Sequence, residues 1–219
     1  MSALAPIDAI RAGHVRVNGF PVTNPDALVA RDAHVAVVAP QPLAGEAKLA
    51  AALAAFAPRV AGRVALDLGA AAGGFTRVLL AAGARRVYAV DAGFGQLLGS
   101  LRQDPRVVTL ERTNLGALTP ALIPDAIELV TIDVSYLALA RAVPQLAPLH
   151  IAGDAELIAL VKPMYELGLA APPPDELLPA AVAAARAGIE AAGWTVTGVI
   201  ASPVTGHRGA KELLLHARS

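Results

Sequence analysis

The sequence predicts an α/β fold, a seven-stranded and mostly parallel sheet with a nucleotide-type ligand at one rim. Three observations carry this. Short apolar runs alternate with helix-length stretches from Leu43 onward, the order that builds a parallel sheet. The first run, Val64–Leu68, feeds a glycine-rich turn, Gly69-Ala70-Ala71-Ala72-Gly73-Gly74, after which a new apolar pattern starts. Ionisable residues stand at or near the ends of several runs: Asp67, Asp91, Asp133 and Lys162. In open parallel sheets ligands sit beyond the carboxyl ends of the strands, and core packing does not require charges there.

Composition narrows the class. A chain of 219 residues allows one substantial domain and a small appendage. At 55% hydrophobic residues it can bury a sizeable core. Much of that share is alanine, and no run is long enough to span a bilayer. The amino terminus lacks a basic cap followed by a long apolar core, so no secretory signal is expected. The absence of cysteine excludes disulfides and thiolate metal sites and is compatible with the cytoplasm; no metal is expected. Eighteen basic residues balance eighteen acidic ones, whereas a dedicated nucleic-acid binder is usually more basic.

Residues 1–40 read as the appendage. Ile7–Ala12 is predicted as a short helix stopped by Gly13. Val15-Arg16-Val17 alternates, Asn18-Gly19 is a hairpin signal, and Val22 resumes the strand. A second pair of short strands would use Val29 and Val35–Val38, and Pro40, Pro42 and Gly45 mark a linker.

Residues 41–219 follow as the main domain. Leu43–Phe56 is predicted helical, with Leu49, Leu53 and Phe56 on one face; Lys48 lies beside that face, where a lysine is ordinarily a solvated surface charge. After strand Val64–Leu68 come helix Gly74–Ala82 and strand Arg86–Val90, ended by Asp91. An acidic residue about 20 residues after the glycine turn is where such folds bind ribose hydroxyls, because a carboxylate accepts two hydrogen bonds from a vicinal diol. The glycine spacing, G-x-x-x-G-G, is not that of the dinucleotide fingerprint. Next come a short helix Gln96–Arg102, strand Val107–Leu110, and Glu111-Arg112-Thr113-Asn114, polar groups placed to meet a base. Strand Ile127–Ile132 reads as buried on both faces and leads to Asp133. Then follow helix Leu137–Leu146, strand Leu157–Val161 before Lys162, a helix capped by Asp175 and running to Ala192, strand Trp194–Ile200, and a last strand Ala210–His216 holding Lys211 and Glu212.

The run D-L-G-A-A-A-G-G-F-T, together with V-Y-A-V-D, L-E-R-T-N, I-D-V-S-Y, L-V-K-P and K-E-L-L-L-H, closely resembles the TlyA-type (haemolysin A family) rRNA 2′-O-methyltransferases, relatives of the FtsJ-like group. Residues 1–40 resemble the second half of the α-L RNA-binding module that precedes the catalytic domain in that family. The basic helical half is missing, leaving Arg11, His14, Arg16 and Arg31. The resemblance implies a class I S-adenosylmethionine-dependent, Rossmann-like fold and methyl transfer to a ribose 2′-hydroxyl of RNA, with ribosomal RNA or a ribosomal subunit as partner and no membrane.

By motif position the family's catalytic Lys, Asp, Lys and Glu fall on Lys48, Asp133, Lys162 and Glu212. The cofactor, S-adenosyl-L-methionine, is expected on Asp67, Gly69, Gly73, Gly74, Phe75, Asp91, Thr113, Asn114 and Asp133, with Asp91 on its ribose and Thr113 or Asn114 at the adenine edge. Asp67 can instead be structural, holding the turn. In the chemistry implied, Lys162 is the base for the ribose hydroxyl and Lys48 its neighbouring cation, with Asp133 and Glu212 orienting them. A lysine serves as base only where burial or another cation lowers its pKa from about 10.4; nearby carboxylates act the other way.

Three departures stand out. Ala71 or Ala72 stands where the glycine turn usually has a hydroxyl, Leu43-Ala44-Gly45-Glu46 replaces Ser-Arg-Gly-Gly, and Met164-Tyr165 stands where Gln-Phe is usual. With the shortened appendage, they bear on the acceptor more than on methyl transfer. The alternatives are a non-ribosomal or small-molecule hydroxyl acceptor, and a non-catalytic cofactor- or RNA-binding relative.

Overall fold

The computed structural model describes residues 6–11, 14–22, 24–38, 42–206 and 209–219. The chain opens with helix α1 (Pro6–Arg11) and strands β1 (Val15–Val17), β2 (Phe20–Val22) and β3 (Val35–Val37). Asn18 and Gly19 both take positive φ, 51° and 84°, the turn whose twist matches a hairpin. The predicted stop at Gly13 and the linker residue Pro40 lie outside the described residues. The expected second strand pair is not formed. Val29 lies in no strand, and β3 instead pairs antiparallel with β1, giving the order β2-β1-β3.

The main sheet has seven strands: β4 (Val64–Leu68), β5 (Arg86–Val90), β6 (Val107–Leu110), β7 (Ile127–Ile132), β8 (Ile151–Val161), β9 (Thr195–Ala201) and β10 (Leu213–Arg218). Their order is β6-β5-β4-β7-β8-β10-β9, with β10 antiparallel to both neighbours. Seven strands, mostly parallel, are as the sequence predicts. The chain leaves β4 toward β5 and β6, then returns to add β7 on the other side. The gap between the carboxyl ends of β4 and β7 is therefore the topological switch point.

Alternation along the strands fills two apolar layers. Leu66, Leu68, Val90, Ile132, Leu157 and Val161 face one, with Ile189 and Trp194. Ala65, Val87, Ala89, Leu129, Ile158 and Leu214 face the other, under helices α2 (Ala44–Phe56) and α3 (Gly74–Ala81). Successive strand side chains point to opposite faces, so strands with apolar residues at nearly every position are covered on both sides.

Several element boundaries differ from the sequence reading. Strand β8 begins at Ile151, not Leu157, since β7 pairs with Ile151 through an irregular register at Ile127/Leu129. The helix expected from Gln96 shrinks to α4 (Gly99–Arg102), because the Glu111 carboxylate takes the N–H groups of Gly95, Gln96 and Leu97. The helix expected over 137–146 becomes α5 (Leu139–Ala142) and a 3₁₀ turn, Val143–Leu146; Pro144 has no N–H to continue α hydrogen bonding. A short helix, α6 (Pro163–Glu166), follows β8. Asp175 does not cap the long helix. It opens a 3₁₀ turn before α7 (Leu178–Ala191), and its carboxylate pairs with Lys211. The last strand starts at Leu213, leaving Lys211 and Glu212 in the loop before it.

Candidate active site

The site grows from the turn after β4. Gly69 has φ +86°, and a Cβ there would lie 2.3 Å from the Asp133 carbonyl oxygen. Only a residue without a side chain lets this turn pass the end of β7. The N–H groups of Gly69 and Ala70 both donate to Val90 O, and Asp133 N donates to Leu68 O at 2.8 Å. The ends of β4, β5 and β7 are thereby locked together.

The other two glycines have a use the sequence reading missed. A Cβ on Gly73 would strike Leu101 and Leu97, and one on Gly74 would meet the Gly45 backbone at 3.0 Å. Their missing side chains admit neighbouring protein segments. Phe75 is 4% exposed with its ring close to Gly45, packed beneath the turn. Asp67 is fully buried. Its oxygens accept hydrogen bonds from Thr76 Oγ1 at 2.6 Å and Thr131 Oγ1 at 2.9 Å. Burial outweighs those bonds and pushes its carboxyl up to about 6. Asp67 thus ties α3 to β7 under the turn, with no surface for a ligand.

Asp91 is placed as expected, beyond β5. Its Oδ2 accepts from Ala71 N at 2.8 Å and its Oδ1 from Gly93 N at 2.7 Å. Thr113 N donates to the Asp91 carbonyl at 3.0 Å, so the Thr113–Asn114 segment flanks the same rim. Asn114 is exposed, while the Thr113 hydroxyl turns back to Glu111 O at 3.1 Å. Glu111, read as a base-facing group, is instead engaged inward. The Arg102 guanidinium at 2.6 Å and the loop N–H groups hold its carboxyl down, to about 2.

The four dispersed ionisable residues meet. Lys162 Nζ lies 2.6 Å from Asp133 Oδ1, Lys48 Nζ lies 3.9 Å from Asp133 Oδ2, and Lys48 Nζ lies 2.6 Å from Glu212 Oε2. They form a row, Lys162–Asp133–Lys48–Glu212, with two charges of each sign. Lys48 is 7% exposed, so the surface-charge reading of its helix position is wrong. Tertiary packing makes the difference: α2 packs on α3 and β10, with Phe56 stacked on His216 at 5.3 Å. That lays Lys48 against the loop before β10. Gly206 makes room there, since a Cβ on it would fall 2.2 Å from Glu212 Oε1. Glu46, in the stretch that departs from Ser-Arg-Gly-Gly, accepts from Leu43 N and pairs with Arg77 at 2.6 Å; it caps α2.

One cavity of about 510 Å³ is lined by all four of these residues and also by Gly69 and Ala71 of the turn. Ser135 is on its wall too and was missed in the sequence: Lys162 Nζ donates to Ser135 Oγ at 2.6 Å. Its place two residues after Asp133, in the run Ile132-Asp133-Val134-Ser135-Tyr136, was the available signal. Among the described residues no cluster of His, Asp and Glu is arranged to hold a metal, and no helix is long and apolar enough to cross a membrane.

Comparison with known proteins adds family and fold. The FtsJ-like methyltransferase family model matches residues 45–218. The chain is 42% identical over 222 residues to the 16S/23S rRNA (cytidine-2′-O)-methyltransferase TlyA of Mycobacterium tuberculosis (strain ATCC 25618 / H37Rv), covering 97% of this chain and 82% of that protein. It is 35% identical over 162 residues to Hemolysin A of Brachyspira hyodysenteriae, covering 73% and 67%. A solved structure from Lactococcus lactis superposes with a TM-score of 0.76 at 31% identity, over 80% of this chain and 87% of that one.

Proposed function

The chain belongs to the FtsJ-like methyltransferase family, and we propose that it methylates a ribose 2′-hydroxyl of ribosomal RNA, using S-adenosyl-L-methionine. The observation that carries this is the convergence of Lys48, Asp133, Lys162 and Glu212 on a cavity that also reaches the glycine turn. A relative's name supports the acceptor, since the Mycobacterium tuberculosis protein is named for cytidine 2′-O-methylation of 16S and 23S rRNA.

The residues present fit the methyl donor. Each Asp91 oxygen accepts one backbone N–H, and a carboxylate oxygen has a second lone pair, so the two can also take a vicinal diol. In this reading Asp91 holds the ribose, the Gly69–Gly74 turn runs beside the methionine end, and Thr113 and Asn114 border the adenine. Asp67 and Phe75 support the turn from below. When bound, the cofactor supplies an electrophilic methyl group on a sulfonium.

The protein's own part is to bring a hydroxyl to that carbon and remove its proton. Lys162 in its neutral form takes the proton, with Ser135 and Asp133 fixing the direction of its Nζ. Asp133 is shared: its second oxygen faces Lys48, so it remains paired as Lys162 changes charge. Glu212 holds Lys48, and Lys48 offers a cation to the RNA side. With both lysines protonated the row carries two charges of each sign, which avoids a buried excess of either sign at rest. We read residues 1–40 as an α-L-type segment aiding RNA docking and 41–219 as the methyltransferase domain, working in the cytoplasm where ribosomes are.

Tritium transfer from labelled S-adenosyl-L-methionine to intact ribosomes, separated subunits and naked rRNA tests the proposal. Label recovered as a 2′-O-methyl nucleoside is expected. A chain that binds S-adenosylhomocysteine yet labels none of these RNAs refutes the ribosomal acceptor.

A further inference from the structure

Glu166 is a half-buried carboxylate with no part in the scheme above. It is the last residue of α6, four residues after Lys162. Its Oε1 and Oε2 accept the Leu139 N–H at 3.1 and 3.3 Å. Burial raises its carboxyl to about 7, and the bond from Leu139 only partly opposes this. A carboxylate held there at such a cost is placed for something.

Its partner explains what. Leu139 is the first residue of α5, and the residue before it, Ala138, offers no side-chain cap. The first N–H groups of a helix need an outside acceptor, and Glu166 supplies it from another element. The segment that ends at this bond begins at Asp133, pinned by Leu68 O. Between them lie Asp133 and Ser135, the two partners of Lys162 Nζ, each at 2.6 Å. Lys162 in turn precedes α6, and its carbonyl accepts Glu166 N at 3.1 Å. A single turn, Lys162 to Glu166, therefore grips the segment 133–139 near both ends.

We propose that Glu166 is a positioning residue: by holding Leu139 it sets the 133–139 segment so that Asp133 and Ser135 meet Lys162. This rests on the reading of Lys162 as the proton acceptor. A misplacement near 1 Å at a reacting group can cost about 100-fold in rate, so loss of this anchor should appear in kcat and leave cofactor affinity alone.

The test compares Glu166→Ala and Glu166→Gln in the full chain. Three quantities are read: kcat and KM on ribosomal RNA, the Kd for S-adenosylhomocysteine, and deuterium uptake across 133–139. In Glu166→Ala, kcat is expected to fall roughly 10- to 100-fold, with KM and Kd nearly unchanged and uptake in 133–139 faster. Glu166→Gln keeps an amide oxygen that can accept from Leu139 N, so it should recover most of kcat and of the protection. Wild-type kcat in Glu166→Ala overturns the proposal, and so does a Glu166→Gln variant as impaired as Glu166→Ala. If Glu166→Ala does not fold, Glu166→Gln decides alone: near-wild-type kcat supports the role, and a collapsed kcat refutes it. If the wild-type chain labels no RNA, the acceptor assignment is at fault, and exchange in 133–139 still decides on Glu166: faster uptake in Glu166→Ala alone supports it, unchanged uptake refutes it.

Discussion

Lys48 and Glu212 stand 164 residues apart in the chain and meet at 2.6 Å, with side chains only 9% and 7% exposed. The pair joins α2 to the loop before β10 at the cavity wall. Removing one partner of a buried pair leaves an uncompensated charge, a loss of about 3–5 kcal/mol. Lys48→Ala and Glu212→Ala are each expected to destabilise the fold on that scale. The double variant should lose less than the sum, and a urea-unfolding cycle measures the coupling.

Lys162 is expected to matter for chemistry rather than for cofactor binding. Lys162→Ala should lower methyl transfer by about 100-fold or more, with S-adenosylhomocysteine affinity nearly unchanged. Lys162→Arg separates charge from proton transfer, since a guanidinium stays protonated. It should be nearly as inactive. Full activity in Lys162→Arg would assign Lys162 a purely electrostatic role. Single-turnover tritium transfer reads both.

Asp91 should show the opposite pattern. Asp91→Ala removes the acceptor for Ala71 N and Gly93 N together with the proposed ribose contact. Hydrogen bonds to a charged group are worth about 1.5–3 kcal/mol, so affinity for S-adenosylhomocysteine should weaken roughly 10- to 100-fold. Calorimetry measures this directly, and kcat at saturating cofactor should change far less.

Asp67 predicts a pH dependence of stability. Its folded-state carboxyl is raised from 3.8 to about 6, so its favourable contribution is complete below about pH 3.8 and is lost as pH rises through 6. The shift corresponds to about 3 kcal/mol. Asp67→Asn, which keeps one acceptor for Thr76 or Thr131, should gain on wild type by up to that amount between pH 4 and 7. Urea midpoints at both pH values check the sign. A wild-type protein that gains on Asp67→Asn over this range would overturn the account.

The sequence alone determined the succession of the seven strands, the glycine turn, and the place of Asp91 at the end of the second strand, because each is written in local periodicity and short spacing. Strands Val64–Leu68, Arg86–Val90, Val107–Leu110 and Ile127–Ile132 were legible to the residue, being apolar runs bounded by turn signals. Asp133 and Lys162 were marked by their places at strand ends, whereas Lys48 and Glu212 were legible only through family resemblance, since nothing local distinguishes Lys48 from a surface lysine. Tertiary structure decided the rest. The missing side chains of Gly73 and Gly74 make room for Leu101 and Gly45, contacts between segments that no spacing rule encodes. Burial against Thr76 and Thr131 makes Asp67 a support, the second of its two readings, Glu111 was drawn inward by Arg102, and Ser135 and Glu166 gained their partners from the segment after the neighbouring strand. A charge at a strand end takes its meaning from the groups packed around it, and only the folded chain supplies those groups.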